Sequence, residues 1–180
     1  MKYVIASDIH GSVYWCGKLA DRFSEEQADR LILLGDLLYH GPRNDLPEAY
    51  DPKRVITLLS GLKDRILCVR GNCEAEVDQM VLPFPVTAEF AALEVSGKLM
   101  YITHGHRYNI GNPPPLRNGD ILVYGHTHVP LCEEKDGVIF MNPGSVSIPK
   151  ENSAHGYMTL EDGRFLWKDL NGKVYMQYVL

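Results

Sequence analysis

The sequence predicts an α/β fold, a four-layer α/β/β/α sandwich of two packed mixed β-sheets flanked by helices. Two observations predict it. The first third of the chain alternates short apolar runs with amphipathic stretches, the pattern of parallel strands joined by crossover helices. The remainder consists of short runs rich in Val, Ile, Leu, Tyr and Phe, separated by glycine-containing turns, the pattern of hairpins.

Taken in order, Tyr3 to Ala6 is a β-rich run. Residues 13–28 have helical spacing, with Leu19, Ala20 and Phe23 on one side. Leu31 to Leu34 is a second strand, followed by a polar, proline-containing loop. Asp51-Pro52 then opens a helix as N-cap and first-turn proline, with Val55, Ile56, Leu58 and Leu59 inward. Arg65 to Val69 is a third strand. Further strands are expected at 86–95, 99–103, 121–124, 138–142, 156–160, 164–170 and 173–179. Hairpin connections are expected at Ser96-Gly97-Lys98, Lys135-Asp136-Gly137, Glu161-Asp162-Gly163 and Asn171-Gly172. The segment Asn109 to Asn118, with three consecutive prolines, reads as a surface loop. No repeat or Ser/Gly linker divides the 180 residues, so one domain spanning 1–180 is expected.

Composition narrows the function. With 45% hydrophobic and 23% charged residues, the chain has the make-up of a globular protein. Its formal net charge of −5 argues against a stable nucleic-acid binder, which neutralises phosphates with clustered Lys and Arg. A small phosphorylated substrate is still compatible, because bound metal can supply positive charge. Cys16, Cys68, Cys73 and Cys132 form no disulfide-like pattern, and no apolar run has the length of a membrane span or signal peptide. A cytoplasmic location is therefore expected.

The chemistry lies after the predicted strands. Asp8-Ile9-His10 follows the first, Gly35-Asp36 the second and Gly71-Asn72 the third. His104-Gly105-His106 and Gly125-His126-Thr127-His128 follow two of the later runs. Asp-x-His alone also fits a helix cap and a turn, and Gly-Asp or Gly-Asn alone fits an ordinary strand-end loop. The ordered set is another matter. Open α/β sheets place their sites beyond the carboxyl ends of the strands, so these groups are expected to converge. Asp8, Asp36 and Asn72 offer oxygen; His10, His104, His126 and His128 offer nitrogen. Mixed ligation suits Mn, Fe, Co, Ni or Zn better than Ca or Mg. A carboxylate bridging two such ions roughly 3.5–4 Å apart forms a two-metal site for in-line displacement at phosphorus. Two divalent ions, two aspartates and one hydroxide leave a net charge of about +1 to attract a phosphate.

This ordered set, together with Gly71-Asn72-Cys73-Glu74, resembles the calcineurin-like metallophosphoesterase superfamily. Tyr39-His40-Gly41-Pro42-Arg43-Asn44 and Asn142-Pro143-Gly144-Ser145-Val146-Ser147 resemble its small bacterial YfcE-like phosphodiesterases. The resemblance implies a β-sandwich flanked by helices. It implies one metal held by Asp8, His10, Asp36 and His128, and a second held by Asp36, Asn72, His104 and His126, with Asp36 bridging. It implies two divalent ions, manganese foremost, and hydrolysis of a small phosphodiester by a metal-bridging hydroxide, with Asp36 and Asn72 at the reacting centre.

Cys73 stands where many larger relatives carry a histidine proposed to protonate the leaving group. A thiol of ordinary pKa is a poor acid for an alkoxide, so Cys73 reads as a small residue lining the substrate site. His106 and His40 are the candidate substitutes, and His40, Arg43 and Asn44 are candidates for contact with the non-reacting part of the substrate. Arg70 is expected to face phosphate or to pair with Glu74, and His155 to be a surface residue. The rival readings are a Vps29-like protein-binding scaffold, and a phosphomonoesterase or nuclease built on the same metal site. A serine hydrolase at Ser145 lacks its G-x-S-x-G elbow. The C-terminal run 173–179 offers an edge for a homo-oligomer.

Overall fold

A computed structural model describes residues 1–180. Strands β1 (Tyr3–Ala6), β2 (Arg30–Leu33) and β3 (Ile66–Cys68) are parallel, linked through helices α1 (Val13–Glu25) and α2 (Pro52–Ser60). A short helix α3 (Glu76–Val81) follows. Next come β4 (Ala91–Val95), β5 (Lys98–Ile102), β6 (Ile121–Val123), β7 (Pro130–Lys135) and β8 (Val138–Pro143). Then β9 (Gly156–Glu161), β10 (Arg164–Asp169) and β11 (Val174–Val179) complete the chain. They form two mixed sheets, six strands in the order β11-β10-β9-β1-β2-β3 and five in the order β4-β5-β6-β8-β7.

The two-residue period of the strands sorts their side chains into layers. Val4, Ala6, Leu31 and Leu33 face the helices and pack with Leu19 and Phe23 of α1 and Val55 and Leu59 of α2. The residues between them, Ile5 and Ile32, face the second sheet and pack with Met100, Ile102, Ile121, Val123, Ile139 and Met141. The opposite face of β6 and β8 buries Leu122, Val138 and Phe140. Ile110 and Leu116, from the proline-containing segment, cover that face. That segment stays non-helical because three consecutive prolines deny the backbone its helical hydrogen bonds.

Local chemistry accounts for the element ends. The Ser12 hydroxyl accepts from the Trp15 amide and caps α1; the Asp51 carboxylate does the same for α2 through Arg54, with Pro52 just inside. Helix α1 stops at Glu25, short of the expected 28, where Gln27 turns left-handed at φ 51°. All four expected hairpins form. Ser96-Gly97, Asp136-Gly137 and Asp162-Gly163 have both residues at positive φ, whereas at Asn171-Gly172 only the glycine does. Strand β4 starts at Ala91 rather than at 86. Strand β7 and helix α3 are additions to the expected elements. Strand β7 carries Glu133, Glu134 and Lys135 on a sheet edge, so it lacks the apolar pattern that marks a central strand. Strand β11 is an outer edge of the six-stranded sheet.

Just beyond α1, Glu26 binds across to the sheet. Its carboxylate takes Lys2 Nζ at 2.8 Å, Lys168 Nζ at 2.6 Å and the Tyr157 hydroxyl at 2.9 Å. Burial opposes its charge, but these donors outweigh it and hold the carboxyl at about 2. The stabilisation is therefore complete above the ordinary carboxylate value and is lost as pH falls toward 2. Glu26→Gln is expected to lower stability by about 1–2 kcal/mol at pH 7. Urea unfolding midpoints should show that gap narrowing below pH 4.5; a gap independent of pH would contradict this account.

Candidate metal centre

Every predicted ligand sits just past the carboxyl end of a strand. Asp8 and His10 follow β1, Asp36 follows β2, Asn72 follows β3, His104 follows β5, and His126 and His128 follow β6. Both sheets thus contribute to one rim. The backbone there is strained. Asp8, His10, Asp36, His126 and His128 all lie in the left-handed region, with φ between 48° and 66°. Each such non-glycine residue costs on the order of 1–2 kcal/mol, so the surrounding structure must hold it. Two glycines allow the close approach. A Cβ on Gly71 would stand 2.1 Å from Asp36 Oδ1, and one on Gly125 would stand 1.9 Å from Ser7 Oγ.

The donor atoms point at one another. Nδ1 of His10 donates to the Tyr39 carbonyl at 2.7 Å, Nδ1 of His104 to Leu34 at 2.7 Å and Nδ1 of His128 to Ile148 at 2.8 Å. A carbonyl only accepts, so in each neutral ring Nε2 is a lone pair turned to the centre. His10 Nε2 and His128 Nε2 are 3.2 Å apart, and His104 Nε2 is 3.1 Å from Asn72 Oδ1. Asp8 Oδ1 lies 3.2 Å from His128 Nε2 and 3.5 Å from His10 Nε2, fully buried and without a hydrogen-bond partner. Such contacts between acceptors are repulsive until a proton or a metal cation sits among them. Metal bonds of about 2.1 Å separate neighbouring donors by roughly 3.0–3.4 Å, close to this spacing. Three overlapping clusters could hold an ion: Asp8, His10 and His128; Asp36, His104 and His126; and, between them, His10, Asp36 and Cys73. Asp36 Oδ2 joins the first two, 3.7 Å from His10 Nε2 and 3.4 Å from His104 Nε2.

The charges follow from this crowding. Burial opposes ionisation of Asp8, yet His10 and His128 hold its carboxyl well below the usual range. Burial also disfavours a charged His104, but the Asp36 and Asp8 carboxylates raise it to about 9. Burial and the neighbouring His104 lower His126 to about 4.

A surrounding layer fixes the ligands. The His126 amide donates to Asp8 Oδ2 at 3.0 Å and the Cys73 amide to Asp36 Oδ1 at 2.9 Å, leaving the other oxygen of each carboxylate facing inward. Glu74 accepts from the amides of Asp36 at 2.8 Å, Leu37 at 2.7 Å and Gly71 at 2.5 Å, locking the β2 and β3 loops together. Its carboxylate is therefore engaged by backbone, and Arg70 reaches only the Glu74 carbonyl and Glu89. The Asn142 side chain donates to Gly125 O at 2.8 Å and Thr127 Oγ1 at 3.1 Å. Ser145 and Ser147 hydroxyls donate to the Asp8 carbonyl at 2.9 and 3.0 Å, which gives Ser145 a structural place.

Asp36, Asn72, His126 and His128 open onto a cleft of about 430 Å³, also lined by Arg43, Asn44, Cys73, Thr127 and Lys150. His40 and His106 do not line it. The His40 ring packs edge-on to Tyr39 and Tyr50, and its carbonyl holds the Asn44 side chain. His106, 5.5 Å from the His104 ring, lines a separate pocket with Phe90, Tyr101 and Tyr108. His155 is half-buried rather than free on the surface; it stacks on Trp15 at 3.6 Å and donates to the Val146 carbonyl. Neither Lys150 nor the clamp role of Glu74 carries a signal of its own in the sequence. A lone lysine in a loop carries no spacing signal, and Glu74 showed only as part of the motif after Asn72.

The family model of the calcineurin-like phosphoesterase superfamily domain matches residues 1–162. The phosphodiesterase YfcE of Escherichia coli is 44% identical over 162 residues, 90% of this chain and 88% of that protein. The solved structure of this E. coli phosphoesterase superposes with a TM-score of 0.96 at 40% identity, over 99% of each chain. The phosphodiesterase MJ0936 of Methanocaldococcus jannaschii is 26% identical over 80% of this chain and 83% of its own. Vps29 of Entamoeba histolytica, 18% identical with a TM-score of 0.65 over 100% and 99% of the two chains, shares the fold alone. A family match over most of the sequence, joined to this rim of inward-facing donors, makes the chain a member of the calcineurin-like phosphoesterase superfamily.

Proposed function

We propose that the chain is a metal-dependent phosphodiesterase that hydrolyses a small phosphodiester with water. Asp8, His10, Asp36 and His128 would hold one divalent ion, and Asp36, Asn72, His104 and His126 a second. The observation that carries this reading is Asp36 Oδ2, which stands between His10 Nε2 and His104 Nε2 and so belongs to both clusters. The oxygen and imidazole mixture suits Mn, Fe, Co, Ni or Zn, and the resemblance to the YfcE-like phosphodiesterases puts manganese first. When bound, the ions supply Lewis-acid charge for the phosphoryl oxygens and make water acidic enough to attack at neutral pH. No helix is long and apolar enough to cross a membrane, and a cytoplasmic location with a free substrate fits the reading. The open edge of β11 offers a place for homo-oligomer contact.

The protein's own groups orient the reaction. The Cys73 amide and the Nδ1 hydrogen bonds of His10, His104 and His128 keep the inward atoms aimed before substrate arrives, which is where such sites gain most of their rate. Leaving-group protonation is the weak step. Burial and the Asp36 and Glu74 carboxylates push the Cys73 thiol up, so it stays protonated and donates poorly to an alkoxide. With neither His40 nor His106 lining the cleft, esters whose leaving group is stable as an anion are favoured.

Manganese-loaded protein is expected to hydrolyse an aryl phosphodiester and to contain two ions per chain by elemental analysis. Asp36→Ala should lose at least ~10³-fold in kcat/KM and bind fewer ions while keeping its circular dichroism spectrum. Wild-type rates in that variant would remove the bridging role. Because His104 is raised to about 9, the metal-free protein carries a proton there at neutral pH that an ion must displace. Manganese affinity, measured against a competing chelator, should therefore rise about tenfold per pH unit between 6.5 and 8.5. A flat profile would show that His104 takes no part in binding.

A further inference from the structure

We infer that the cleft selects a phosphodiester whose non-reacting arm carries a second phosphate, held by Arg43 and Lys150; this rests on the phosphodiesterase reading above. Only one of the 11 residues that line the cleft is hydrophobic. A bulky apolar arm would find no large apolar side chain to pack on there, whereas a charged, hydrogen-bonding arm would find partners.

Charge identifies the arm. Asp36 is the only carboxylate in the lining, and it is turned to the metal centre. Arg43 and Lys150 are its two cationic side chains, and neither takes part in an ion pair or a side-chain hydrogen bond. The other cations near the rim are spent differently, since Glu89 lies 2.8 Å from Arg107 and 3.9 Å from Arg70. Two divalent ions, Asp8, Asp36 and a hydroxide sum to about +1, and the buried Glu74 carboxyl beside Asp36 lowers that toward zero, so the single negative charge of a diester at least cancels it. Arg43 and Lys150 then exceed that need by between one and two positive charges. A phosphate monoester, at about −1.5 to −2 near neutral pH, matches the surplus.

Both cations are placed by the site itself. The Lys150 amide donates to the His128 carbonyl at 3.1 Å, and its own carbonyl accepts from the Ser153 amide at 3.0 Å and hydroxyl at 2.6 Å. Ile148, two residues earlier, takes the Nδ1 proton of His128. The root of the lysine is thus tied to a ligand loop of the second sheet. Arg43 rises from the loop after Asp36 on the first sheet, where the Asn44 side chain donates to the His40 carbonyl at 2.8 Å. The guanidinium can bind phosphate in a fork and the ammonium as a point charge, from different walls of one cleft.

The test uses a matched pair of chromogenic esters and manganese-loaded protein. Thymidine 5′-(4-nitrophenyl phosphate) is a plain diester, and its 3′-phosphorylated counterpart differs by one phosphate. The wild type is expected to favour the 3′-phosphorylated ester at least tenfold in kcat/KM, mainly through KM. Arg43→Ala and Lys150→Ala should each erode that ratio, and the double variant should bring it to about one, while Lys150→Arg keeps most of it. Calorimetry provides a readout without turnover: thymidine 3′,5′-bisphosphate should bind the wild type at least tenfold more tightly than thymidine 5′-monophosphate, and the double variant equally. Metal analysis and circular dichroism establish that the variants compared are loaded and folded alike. A wild-type ratio near one, or a double variant that keeps the wild-type ratio, overturns the inference while leaving the phosphodiesterase reading intact. Failure to hydrolyse either ester removes that reading instead, and the calorimetric comparison still decides the second-phosphate preference.

Discussion

The structure turns on an unfavourable arrangement, electron pairs brought face to face. His10 and His128 present Nε2 atoms 3.2 Å apart, and Asp8 Oδ1 lies against both with no donor of its own. In a folded protein this is tolerable only if a cation or proton occupies the middle. The backbone carbonyls of Tyr39, Leu34 and Ile148 enforce it by taking the Nδ1 protons, so no ring can escape by exchanging tautomers without breaking a hydrogen bond.

Holding that arrangement requires rigid surroundings, and the fold supplies them from two directions. The parallel strands β1 and β2 bring Asp8 and Asp36 to adjacent positions, while β5 and β6 of the second sheet bring His104, His126 and His128 from across the core. Five of the donors sit in left-handed backbone. That strain persists because Glu74 clamps three amides, Asn142 clamps the Gly125 loop, and two serines hold the Asp8 carbonyl. The tight steric fit at Gly71 and Gly125 belongs to the same device, since a side chain at either would displace the ligand loops.

Around this centre the cleft is polar and the nearby acids are weak. The Cys73 thiol, shielded by two carboxylates, offers little proton donation, and His106 faces an aromatic pocket instead. Electrostatic positioning rather than proton transfer is therefore the resource this site commands. Arg43 and Lys150, which line the same cleft, would extend that resource to the part of the substrate that does not react.

The sequence by itself determined the layered α/β plan and singled out the seven candidate donors. Period-two alternation, Asp-Gly and Ser-Gly turns, and Asp, Asn or His placed just after apolar runs are local signals, readable without knowing which strands meet. Strand β7 and helix α3 were not legible: one is a charged edge strand, the other a six-residue helix with no buried side chain, so neither carries an apolar period. Only the tertiary structure decided which bland residues serve the site. Glu74 became a clamp because three amides from two loops converge on it, and Lys150 became a cleft residue because its backbone is tied to His128. His40, close to the site in sequence, was turned away by packing on Tyr39 and Tyr50. Composition and spacing record what a residue can do. Which groups stand within 3 Å of one another is decided by long-range packing, which no local window contains.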